Sequence, residues 1–152
     1  MQPDGKILTA GQEDLRVWVT RYTASGALDA TFGDAGGMSV PIVPASFMNT
    51  LRFLCRDIVI DPQGRIVLAG YKDRTVYVLR VTSDGHPDAS FGPDASNGRS
   101  GIAAFPIPNL GVGALWGTNV TALAIQANAK ILIAGISDDG DGTGKVSRNF
   151  LL

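Results

Sequence analysis

A ten-residue phrase occurs three times in this chain, and it restricts the possible folds more than any other feature. It opens the sequence as Gln2–Gly11, QPDGKILTAG, returns as Asp61–Gly70, DPQGRIVLAG, and returns again as Gln126–Gly135, QANAKILIAG. Each copy has a polar turn, a basic residue (Lys6, Arg65, Lys130), three apolar or β-branched residues, and then Ala-Gly. Self-similarity at a fixed period, here about 60 residues, marks an array of stacked units, because one unit alone cannot bury its apolar surface.

The repeat extends beyond its opening phrase. Trp18–Gly33, WVTRYTASGALDATFG, matches Tyr77–Gly92, YVLRVTSDGHPDASFG, at the same offset that separates Gln2 from Asp61. Met38–Ile42, MSVPI, matches Ala103–Ile107, AAFPI, at a wider offset, so six extra residues lie in the polar stretch between Gly92 and Gly101. An insertion confined there is what a surface loop tolerates. The middle copy holds four strand candidates, Arg56–Ile60, Arg65–Tyr71, Thr75–Val81 and Ile102–Ile107. Each is short, rich in Val, Ile and Leu, and bounded by Gly, Pro, Asp or Asn. Pro62 and Gly64 suit a tight turn, since proline fixes φ and glycine accepts positive φ. No segment sustains a helical period.

This pattern predicts an all-β, β-propeller-like chain, built of repeats of about four antiparallel strands. The chain then forms a single repeat domain, with repeats at approximately 1–53, 54–117 and 118–152, the first and last incomplete. Ten strand candidates result, as three, four and three. In this scheme Phe32 and Phe91 wedge between blades, and Trp18 and Tyr77 belong to the interblade core. Asp29 and Asp88 cap backbone amides in the turns before them, and the Ala-Gly pairs allow close backbone approach.

Composition excludes several classes of function. The hydrophobic fraction of 45% and the charged fraction of 18% fit a globular protein. Net charge is −1, and no basic cluster exceeds a pair, which argues against nucleic-acid binding. Cys55 is the only cysteine, so neither an internal disulfide nor a cysteine metal cluster can form, and the residue reads as a small core side chain. No apolar run approaches the roughly 18 residues of a membrane helix. The opening MQPDGKI enters the repeat directly, without the basic and apolar pattern of a secretion leader.

With these motifs in view, QPDGKILTAG followed by RYTASGALDATFG resembles the delta-60 repeat of large bacterial proteins, whose usual form runs close to QPDGKILVAG and then ARYNPDGSLDTSFG. The resemblance covers nearly the whole chain. The second copy departs at Gln63 and at His86-Pro87, and the third at Ala127 and Ala129, which replace the turn's Pro and Gly. The resemblance implies a propeller-like repeat found in proteins often exported to the cell surface. It implies no shared activity. Three blades do not close a ring, and open blade faces favour association. Self-association into a closed ring is therefore expected, a dimer giving six blades within the usual range of about 4–8. The alternative is that the sequence is part of a longer protein.

Candidate site residues are few. His86, the only histidine, lies in a turn with Asp84 and Asp88, a set from which a hydrolase could draw a general base. The plainer reading is an exposed turn, and no nucleophile motif such as G-x-S-x-G accompanies it. Asp138, Asp139 and Asp141, interleaved with glycines in SDDGDGTGK, resemble a Ca2+ loop, although no glutamate stands at the twelfth position. The plainer reading there is a lengthened hairpin tip. Phe47 and Trp116 sit in the apolar connecting segments Val43–Phe53 and Pro108–Thr118, where a propeller could bind a ligand. No other cofactor is indicated. Two functions follow: a non-enzymatic binding or structural module for a carbohydrate or protein partner, or an esterase-like hydrolase with its pocket at the ring centre or a subunit interface.

Overall fold

The computed structural model describes residues 1–13, 16–41, 54–72, 75–92, 100–106, 119–137 and 148–151. Among these there is no helix, and ten strands fall into three separate antiparallel sheets. The first sheet orders β1 (Ile7–Glu13), β2 (Arg16–Tyr22) and β3 (Gly37–Pro41). The second is complete, in the order β4 (Leu54–Ile60), β5 (Ile66–Lys72), β6 (Thr75–Val81) and β7 (Ile102–Pro106). The third holds β8 (Asn119–Ile125), β9 (Ile131–Ser137) and β10 (Arg148–Leu151).

The repeated phrase forms the same turn each time. In all three copies a pair of backbone hydrogen bonds closes it: Gln2 to Lys6 (2.7 Å) and Gly5 to Gln2 (3.0 Å), Asp61 to Arg65 (2.9 Å) and Gly64 to Asp61 (2.9 Å), Gln126 to Lys130 (2.9 Å) and Ala129 to Gln126 (2.8 Å). Glycine carries positive φ in the first two, and Ala129 takes the same region at φ 62°. The altered third copy therefore keeps its geometry, and Ala129 bears a strain of about 1–2 kcal/mol.

Strand alternation decides how the sheets stack. On β5 and β6, register pairs Ile66 with Val81, Leu68 with Leu79 and Gly70 with Tyr77 on one face, while Val67, Ala69, Val76 and Val78 turn to the other. The first face packs on Val17, Val19, Phe32, Met38 and Val40 of the first sheet. The second packs on Val120, Leu123 and Ile133 of the third. Each blade therefore covers its neighbour with an apolar layer in which a buried Val, Ile or Leu contributes about 1.5–3 kcal/mol. Because sheets one and two are related by the repeat, both contacts follow one scheme, the Val-bearing face of one sheet against the next.

The first strands of sheets two and three each carry a bulge, at Cys55/Asp57 and Val120/Ala122. Side chains of the preceding sheet meet the backbone close by. The Cys55 amide donates to Gln12 Oε1, and the Leu123 amide donates to Asp57 Oδ2 at 2.9 Å. Two expectations fail. Trp18 is 42% exposed, because its face of the first sheet has no neighbour among the described residues. Gly11 meets no close backbone, since a Cβ there would find nothing within 4 Å.

Candidate functional site

The most organised cluster of polar side chains centres on an arginine to which the sequence motifs assign no role. Arg21, near the end of β2, stands in phase with the buried Val17 and Val19 and is itself buried. Its Nε donates to Asp29 Oδ2 at 2.8 Å, its Nη2 to Thr31 Oγ1 at 3.2 Å, and its Nη1 to the Ser83 carbonyl of the next sheet at 2.7 Å. The guanidinium lies 4.6 Å from the centroid of Phe32, whose side chain is fully buried. The Gly33 amide donates to the Asp84 carbonyl at 2.7 Å, adding a second bond across the same seam. Gly85, with φ +94°, lies so close that a Cβ would stand 2.5 Å from Gly33 N and 3.0 Å from the Phe32 ring. The first blade thus grips a turn of the second through main-chain carbonyls and a glycine.

The second blade rebuilds the same side-chain cluster around Arg80. Arg80 Nε donates to Asp88 Oδ2 at 2.7 Å and Nη2 to Ser90 Oγ at 3.0 Å, and its guanidinium lies 4.5 Å from the Phe91 centroid. The basic residue of the opening phrase supports each acid, Lys6 at 3.1 Å from Asp29 and Arg65 at 3.9 Å from Asp88. Both carboxyls are held below the usual range, first by the hydroxyl of Thr31 or Ser90, then by the amide of that residue and the nearby cations. Contrary to the expectation from sequence, these acids cap the amides two residues after them and not the turns before them. Those turns are closed by Thr23 and Thr82, whose hydroxyls accept the amides of Ala27 (3.1 Å) and His86 (3.0 Å). Ten strands in a three, four, three arrangement, stacked by one repeated contact, are the observation that decides the architecture. These are β-propeller blades.

Comparison with known proteins agrees. The family model of a β-propeller domain of unknown function (DUF5122) matches residues 2–32 and 62–91, the two stretches that carry most of the opening phrase, the arginine and its acid, and end on Phe32 and Phe91. No curated protein and no solved structure matches the chain.

Against this propeller framework the catalytic candidates separate. Asp88 is buried and committed to Arg80, to the Ser90 amide (2.9 Å) and to the Ser90 hydroxyl (2.7 Å). Asp84 accepts the Thr82 hydroxyl, which holds its carboxyl below the usual range, with a smaller contribution from His86. His86 is exposed, and its backbone closes the turn by accepting the Thr82 amide at 2.8 Å. The three residues share a turn, but Asp88 points to Arg80 and the set forms no relay. Phe47, Trp116, Asp138, Asp139 and Asp141 lie outside the described residues. Among the described residues no group of three His, Cys, Asp or Glu side chains could hold a metal ion.

Cys55 is half-buried, and burial, then the charge of Asp57, pushes its thiol up to about 11, far from the range of a nucleophilic thiolate. A depression of about 570 Å³ lies where Leu8, Ile58–Ile60 and Ile125 of the three sheets converge, and Met1 and Pro3 also line it. Its carboxylate, Asp61, is tied to Arg65 Nε at 2.6 Å and to the amides of Gln63 and Arg65. The walls are apolar, and the polar group among them is already satisfied.

Proposed function

We propose that this chain is a non-enzymatic propeller module of the delta-60 type, which presents its connecting loops to a carbohydrate or protein partner. The observation that carries this reading is the use of the carboxylates around these turns, Asp84 and Asp88 among them, as scaffold. Asp29 and Asp88 hold arginines, Asp84 holds a threonine hydroxyl, and Asp61 closes a turn. A general base must be free to take a proton from a positioned nucleophile. The ligand-facing role falls to the segments carrying Phe47 and Trp116, whose apolar composition suits a sugar ring or a protein side chain.

The test pairs turnover with binding. The full chain is assayed against a p-nitrophenyl ester and screened on a glycan panel. The expected result is no hydrolysis above buffer, no change in His86→Ala, and glycan retention that Trp116→Ala removes. His86→Ala should also leave stability within about 0.5 kcal/mol, because the side chain is exposed. Ester turnover that His86→Ala abolishes refutes the reading and establishes the hydrolase.

A further inference from the structure

We draw no further inference here: the strongest candidate, the open apolar face of the first sheet around Ile7, Trp18 and Leu28, carries nothing, because nothing in the structure shows whether a second copy or a further repeat covers it.

Discussion

Gly26 and Gly85 occupy the same position in two copies of one turn, and only one of the two turns is gripped. Both turns close with the same bonds, Thr23 N–H to Ala27 O at 2.8 Å and Gly26 N–H to Thr23 O at 3.0 Å, against Thr82 N–H to His86 O at 2.8 Å and Gly85 N–H to Thr82 O at 3.0 Å. Their φ angles are +85° and +94°. An alanine at either site meets the same left-handed strain, about 1–2 kcal/mol. At Gly26 nothing else follows, because no atom lies within 4 Å of the new Cβ. At Gly85 the Cβ falls 2.5 Å from Gly33 N and 3.0 Å from Gly33 Cα and the Phe32 ring. The blades must then part, at an overpacking cost of about 1–3 kcal/mol. The Gly33 amide also loses its acceptor, and a buried unpaired donor costs about 1–3 kcal/mol. Gly85→Ala should therefore destabilise the chain by about 2–6 kcal/mol more than Gly26→Ala, the sum of those two costs. At about 2–4 °C per kcal/mol for a chain of this size, the gap in Tm is at least about 4 °C. Urea and thermal unfolding followed by circular dichroism supply the comparison. Losses that agree within about 0.5 kcal/mol, the scatter of substitutions that touch nothing, would show that the seam contributes nothing at this point. The account of the grip would then fall.

Other predictions follow from the same geometry. The folded-state pKa of Asp29 and of Asp88 is lowered, so the stability they supply is complete above the unfolded carboxylate value of about 3.9 and is lost as pH falls below it. Tm should be flat above about pH 5 and drop towards pH 2, whereas Asp29→Asn should lower Tm at neutral pH and make the acid slope shallower; parallel slopes in the two proteins refute the assignment. Ala129→Gly should raise stability by up to about 1 kcal/mol, because relief of the left-handed strain exceeds the added freedom of the unfolded chain. A loss on that substitution, measured by urea unfolding, would mean that the Ala129 side chain has a packing role.

Much of this architecture is legible in the sequence because a repeat reports its own boundaries. The pattern points to a strand over Arg65–Tyr71 and Ile66–Lys72 is observed, and the Thr75–Val81 strand matches end for end. The grip is less legible. An arginine in a strand reads as a solvent-facing side chain, and only its phase with Val17 and Val19, repeated at Arg80 with Val76 and Val78, marks it as buried. A lone cation in step with an apolar face, recurring in the next copy and followed each time by Asp-Ala-(Thr/Ser)-Phe-Gly, is the available signal. Trp18 misleads for the opposite reason. Its repeat partner Tyr77 does pack in the core, but sequence equivalence fixes which face a residue occupies, not whether a neighbour covers it. His86 attracts notice as the only imidazole, and the turn it sits in serves the seam through its backbone.

What Arg21 and Gly33 recognise in the next blade is main chain, two carbonyls, and the recognition depends on no side chain there except the absence of one at Gly85. The residues displayed on the turn can consequently drift: Ala24-Ser25 in one copy and Ser83-Asp84 in the other hold an identical loop. A seam of this kind makes units interchangeable. A duplicated or exchanged repeat would meet this grip without compensating changes in the turn, provided that it keeps the glycine and the apolar face that stacks beneath it, and the visible side chains of the turn would remain open to selection for whatever they meet outside.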